Sequence, residues 1–290
     1  MRHIAVLIFL LLSASLFAQD SNVQRWILVT PPETVSVADV PLVDIEVMQD
    51  GHPASHGRPT VQQQVPVRIG LVFDESGSGR FSPSHDASLD QVLDWALDTL
   101  QRHKGDAFLV GFNDQIVTST PITADASQLR LALSQLRPFG GSAIRDAIVH
   151  SSEKFNSVRP EPQPVARLLV IVSDGHDNAS SAKERDAIEC AQRFGVRIYV
   201  VGMPPSAGTA GGKSLLEHLA SETGGQAFFP TDQIDLDRAL AAIGRALSNS
   251  FLIGFVPESQ DGKAHKLTVQ LPKKGTKFAY MPVFYSTVSR

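Results

Sequence analysis

Two runs in this chain are apolar enough to be covered on both faces when extended. They are Val67-Arg68-Ile69-Gly70-Leu71-Val72-Phe73 and Leu168-Leu169-Val170-Ile171-Val172. Such strands belong inside a parallel sheet with helices on either side. The segments between and after them supply the helices. Leu89, Val92, Leu93, Ala96, Leu97 and Leu100 recur at helical spacing, as do Leu129, Ala132, Leu133 and Leu136, and then Ile144, Ala147, Ile148, Ser151 and Phe155. Further strands are expected at Ala107–Phe112, Ile116–Thr120, Val196–Val201 and Gln226–Phe229. Helices are expected over Ala182–Arg193, near Ser214–Thr223, and along Leu236, Leu240, Ile243 and Leu247. Six or so alternating units are too few to close an eight-fold barrel. The expectation is an α/β fold: a doubly wound, mostly parallel central sheet flanked by helices, with one short antiparallel edge strand.

The flanks have a different texture. Trp26–Thr30 and Val43–Met48 read as strands, the second ending in a turn at Asp50-Gly51. Phe251–Val256, the alternating Leu267, Val269 and Leu271, and Tyr280–Tyr285 read as three more. Neither flank has a helical stripe, so a small β appendage built from both termini is expected. Residues 51–66 and 157–165 read as loops or linkers. The organisation is then 1–18 signal peptide, 19–66 N-terminal β segment and linker, 67–249 central domain, and 250–290 C-terminal strands packing with the N-terminal segment.

The first residues carry the targeting signal. Arg2 and His3 precede an apolar stretch from Ile4 to Leu12, then small residues and Ala18-Gln19. That is the pattern of a secretory signal peptide with cleavage expected after Ala18, placing the protein in the periplasm or outside the cell. No later segment is apolar for long enough to span a bilayer. A net charge of −4 without a clustered basic stripe argues against nucleic acid as a partner. The short basic patch Lys273-Lys274-Gly275-Thr276-Lys277 reads as a solvated turn between strands. A single cysteine, Cys190, rules out an intrachain disulfide and reads as an inert thiol in a helix.

Three oxygen-rich fragments stand out: Asp74-Glu75-Ser76-Gly77-Ser78, Gly140-Gly141-Ser142 and Ser173-Asp174-Gly175. Taken singly, each is an ordinary turn or helix-cap signal. Their placement changes the reading. The first and third follow the two buried strands and the second opens a helix, so all three fall at the carboxyl edge of the sheet, where ligands of open α/β folds bind. Asp74, Ser76, Ser78, Ser142 and Asp174 would gather two carboxylates and three hydroxyls. Such a hard-oxygen set suits Mg²⁺, with Mn²⁺ or Ca²⁺ as alternatives. His176 and Asp177 read as an exposed loop pair beside it. Gly211-Gly212-Lys213-Ser214 lacks the first glycine of a phosphate loop, since Ala207 stands there, and Gly208–Gly212 reads as a flexible loop. A G-x-S-x-G elbow is missing, and the nine histidines show no paired zinc-ligand spacing.

These fragments carry a resemblance. Val72-Phe73-Asp74-Glu75-Ser76-Gly77-Ser78, Gly140-Gly141-Ser142-Ala143-Ile144-Arg145-Asp146-Ala147 and Val170-Ile171-Val172-Ser173-Asp174-Gly175 resemble the three elements of the metal-ion-dependent adhesion site of von Willebrand factor A-type domains. Ser142 stands where that family usually has threonine. The resemblance covers 67–249. Through Asp44-Ile45-Glu46-Val47 and Ser250-Phe251-Leu252-Ile253-Gly254-Phe255-Val256-Pro257 it extends to bacterial secreted proteins related to these domains.

The resemblance implies a non-enzymatic protein-interaction domain with no catalytic residues. Its cation would keep an open position for an Asp or Glu side chain of a partner protein. Glu75, at the variable position, is expected to point away from the ion. Two other readings stay open at this point: a metal-dependent hydrolase using the same ion to activate water, and a scaffold whose metal site is vestigial.

Overall fold

The computed structural model describes residues 25–77, 83–156, 164–203, 212–259, 261–272 and 275–286. The expected signal peptide, Ser78 and most of Gly208–Gly212 lie outside the described residues. In chain order, the N-terminal flank holds β1 (Arg25–Val29), β2 (Glu46–Gln49), β3 (His52–Pro53) and β4 (Thr60–Val61). The central part runs β5 (Val67–Asp74), α1 (Pro83–His103), β6 (Asp106–Phe112), β7 (Ile116–Ser119), α2 (Ala126–Ser134) and α3 (Ile144–Lys154). It continues with β8 (Ala166–Ser173), α4 (Glu184–Phe194), β9 (Arg197–Gly202), α5 (Gly212–Ser221), β10 (Ala227–Phe228) and α6 (Gln233–Ser248). The chain closes with β11 (Phe251–Phe255), β12 (Ala264–Gln270) and β13 (Val283–Tyr285).

The central sheet has the order β10-β9-β8-β5-β6-β7. Every pairing is parallel except β6 with β7, the expected antiparallel edge. All eight residues of β5 are buried, which is why the run reads as apolar throughout. Alternation then sorts the side chains between two layers. Ile69, Leu71, Phe73, Leu168, Val170 and Val172 pack toward α1, α2 and α6. On the other face, Val72, Leu169 and Ile171 pack toward α3, α4 and α5. Gly70 keeps that second layer close: a Cβ there would lie 2.5 Å from Phe108 Cζ. The space is taken by Phe108, edge-on to Phe155 with ring centroids 5.2 Å apart.

The flanks form two small sheets of order β1-β11-β4 and β13-β12-β2-β3. Both draw strands from the two ends of the chain, β1 pairing with β11 and β2 with β12, each antiparallel. Their shared core includes Ile27, Val47, Phe251, Ile253, Phe255, Val269 and Phe284. Leu252, on the opposite face of β11, joins the core of the α/β part.

Three sequence expectations need adjustment here. The strand expected from Val43 starts only at Glu46, because Leu42–Asp44 is a single 3-10 turn that leaves Val43 78% exposed. Residues 51–66 are not merely linker, since β3, β4 and a 3-10 turn at Gln62–Gln64 lie within them. Gly212, expected in a loop, is the first residue of α5. No helix among the described residues is long and apolar enough to cross a membrane.

Candidate metal centre

β5 and β8 are parallel neighbours with Phe73 opposite Val172, so Asp74 and Ser173 leave the sheet side by side. Asp74 is only 4% exposed. Its Oδ2 accepts hydrogen bonds from Ser142 Oγ at 2.9 Å and Ser173 Oγ at 2.5 Å. Its Oδ1 accepts from the Ser76 amide at 3.0 Å. One carboxylate therefore joins all three fragments. Burial pushes the Asp74 carboxyl above the ordinary range, and the Ser173, Ser76 and Ser142 contacts offset this only in part. Its partners are hydroxyls and an amide, with no cationic side chain paired to it among the described residues.

Backbone bonds knit the loops into one rim. Glu75 donates to Phe112 O at 2.7 Å, Phe139 to Glu75 O at 2.8 Å and Gly77 to Gly140 O at 3.0 Å. Ser142 is held on both sides. Its amide donates to Asn178 Oδ1 at 2.9 Å, and its carbonyl accepts from the Asn178 and Ala179 amides, each at 3.0 Å. A serine ahead of a helix ordinarily caps it. Here the cap position of α3 is Ala143, without a side-chain bond, and the Ser142 hydroxyl turns to Asp74 instead.

Asp174 is half-buried. Its Oδ1 accepts from the His176 amide at 3.0 Å, and Oδ2 has no partner among the described residues. Gly175 follows at φ +83°, where a Cβ would lie 2.4 Å from Gly212 O. Only glycine lets this loop pass so close to the start of α5. The structure thus brings Asp74, Ser76 and Ser142 together; Asp174 has no hydrogen bond to any of them among the described residues, and Ser78 is outside the described residues. Glu75 is 2% exposed.

Sequence reasoning missed two features. Ser173 was passed over in favour of Asp174, although its hydroxyl makes the shortest contact to Asp74. Asp177 is expected from the sequence to be an exposed loop residue beside His176. Instead its side chain is 2% exposed, and Arg145 grips it with Nε–Oδ2 at 2.9 Å and Nη2–Oδ1 at 3.1 Å. The Arg145 and Ser180 contacts overcome burial and hold the Asp177 carboxyl below its usual range. Nothing local in the sequence marks a pair so far apart. His176 is exposed, as expected. Cys190 is a partly buried thiol pushed up to about 11 by burial, in keeping with an inert group.

The donor chemistry fits a divalent cation. No group of three or more carboxylate, imidazole or thiol side chains placed to hold a metal occurs among the described residues. The oxygens at Asp74 are instead mostly hydroxyls around one buried acid. Hard cations accept such ligands, and the shortage of positive charge at Asp74 is what they would supply.

Fold and site together define a class: a doubly wound α/β module with a carboxylate-and-hydroxyl centre at the carboxyl edge of its sheet. The family model for the von Willebrand factor type A domain matches residues 69–241, and the chain belongs to that family. Among solved structures, a von Willebrand factor type A protein from Catenulispora acidiphila aligns with TM-score 0.53 and 11% identity, covering 94% of this chain and 76% of its own. BatB from Bacteroides thetaiotaomicron aligns with TM-score 0.50 and 20% identity, covering 63% of this chain and 97% of its own. Proximal thread matrix protein 1 of the mussel byssus, with a zinc-occupied metal-ion-dependent adhesion site, aligns with TM-score 0.51 and 18% identity, covering 69% of this chain and 49% of its own. At these identities the likeness is one of fold. A comparison with curated proteins finds no match.

Proposed function

We propose that Asp74, Ser76, Ser78, Ser142 and Asp174 hold a divalent cation, Mg²⁺ first, with Mn²⁺ and Ca²⁺ as alternatives. The chain is, on this reading, an exported, non-enzymatic interaction protein that binds an Asp or Glu side chain of a partner protein through that ion. The observation that carries the reading is the Asp74 carboxylate, buried at 4% exposure yet bonded to Ser142 and Ser173 from two other loops. When bound, the cation supplies an electrophilic centre that a carboxylate can reach. With few formal charges among its holders, it keeps that character. Ser142 keeps the oxygen of the usual threonine but loses the methyl that stiffens the rotamer.

The rim supports a protein partner. Phe139 is 66% exposed, and its amide is bonded to Glu75 in the first loop. It offers an apolar contact beside the acid-binding position, the kind of aromatic anchor found at interfaces. Family membership favours an interaction role, and the N-terminal signal pattern favours export. The test is capture of partners from the native cell envelope with and without EDTA, using wild type and Asp74→Ala. A partner held by wild type and released by both chelation and the substitution is expected. Retention that ignores both would rule the adhesion mechanism out.

A further inference from the structure

At the opposite edge of the sheet, the amino ends of β8 and β9 meet the β appendage around a cavity of about 330 Å³. Four arginines line it, Arg25, Arg167, Arg193 and Arg197, and no Asp or Glu is among its lining residues. The rest of the wall is largely apolar, including Trp26, Phe194 and Phe284. Part of this charge has a structural use. Arg25 and Arg167 donate to Arg193 O at 3.5 Å and to Phe194 O at 2.7 Å, satisfying carbonyls at the end of α4.

Arg197 and Arg193 are not explained that way. Arg197 is 3% exposed. Its guanidinium donates to Thr30 Oγ1 at 2.6 Å, to Leu28 O and to Ala279 O at 3.2 Å. All three acceptors are neutral, and no carboxylate pairs with Arg197 among the described residues. A buried charge without a counter-charge is costly. Arg193 lines the same cavity from the last turn of α4. It lies 4.4 Å from the centre of the Tyr285 ring and within electrostatic reach of Glu189, whose carboxylate lies outside the cavity lining and is itself hydrogen-bonded to Arg185 and Tyr285.

We infer that this cavity binds an amphipathic organic anion, with an oxyanion head held by the arginines and an aliphatic or aromatic body against the apolar wall. Guanidinium groups match carboxylate and phosphate oxygens in geometry and charge. The volume falls in the range of small-molecule sites. Arg167 and Ser173 stand at opposite ends of β8, about 20 Å apart at strand rise. The site is therefore separate from the metal centre and does not depend on the function proposed for it.

The test is calorimetric titration of the full chain with decanoate, decyl phosphate and uncharged decanol, repeated on Arg193→Gln and Arg197→Met. One of the two anions is expected to bind at a single site at least about tenfold more tightly than decanol. Arg193→Gln is expected to weaken the anion about tenfold and leave decanol unchanged, the size expected for loss of a charge-assisted contact. Should Arg197→Met fail to fold, Arg193→Gln decides alone. Absence of saturable anion binding, equal binding of decanol, or anion binding indifferent to every folded variant would overturn the proposal.

Discussion

At the scale of single residues, Asp74 would set a conflict between stability and the cation binding proposed for it. Its carboxylate is buried with hydroxyl and amide donors around it, and burying a charge without a counter-charge is unfavourable. Asp74→Asn keeps the shape and removes the charge. Without divalent ions, thermal melting should show the variant at least as stable as wild type. With Mg²⁺ added, wild type should gain and the variant should not, as expected for cation affinity reduced by more than about tenfold. A variant less stable than wild type in EDTA would mean that the hydroxyl cluster by itself, without a role in cation binding, accounts for the buried acid. Ser142 was legible in the sequence only through its company, because an isolated serine before a helix reads as a cap. The fragment holding Ser173 was legible, but the bond from Ser173 to Asp74 was not. That bond comes from Ser173 lying beside Asp74 across two paired strands, and spacing along the chain does not encode that register.

At the scale of elements, the loop after β8 is held in place by a brace. Arg145, in the first turn of α3, holds the Asp177 carboxylate, and Asp146 accepts from the Ser181 and Ala182 amides at 2.9 and 2.8 Å. Arg145→Ala would leave Asp177 buried and unpaired. The expected loss is about 2–3 kcal/mol in denaturant unfolding, below the full cost of breaking a buried pair because Arg145 itself is 26% exposed. Arg145→Lys should recover only part of it, since lysine cannot make the two-pronged contact. A loss under about 0.5 kcal/mol, the range of ordinary surface changes, would show the brace to be incidental. Elements such as β5 and β8 were legible because both their faces are buried, so hydropathy records them without ambiguity. The 3-10 turn at Leu42–Asp44 was not, because its apolar Val43 faces solvent and imitates the start of a strand.

At the scale of the whole molecule, a histidine ties the two ends of the chain. His265 in β12 meets Asp50 of the β2–β3 turn through Nδ1 at 2.8 Å and Asp261 through Nε2 at 3.0 Å. Burial alone would lower its pKa, but the two carboxylates outweigh that and hold it above the ordinary value of 6.5. A raised folded-state value means the stabilisation is complete below the unfolded pKa and fades as pH rises through the folded one. The melting advantage of wild type over His265→Gln should therefore be largest near pH 6 and shrink as pH rises through the raised folded-state value. An advantage that stays flat, or grows with pH, would show that His265 is neutral in the fold. The central sheet was readable from periodicity. By contrast, the pairing of β1 with β11 and β2 with β12 was foreseen only as an appendage, since alternation gives strands but not partners.

The claim on which the functional account turns is that the oxygens gathered at Asp74 hold one divalent ion. Titration with Mn²⁺ followed by electron paramagnetic resonance tests it directly, because bound and free Mn²⁺ give distinct signals. The account predicts one bound Mn²⁺ per chain in wild type, displaced by excess Mg²⁺ and absent in Asp74→Ala and Asp174→Ala proteins that still melt cooperatively. No bound ion in the wild type, or an ion that persists in both variants, would contradict it.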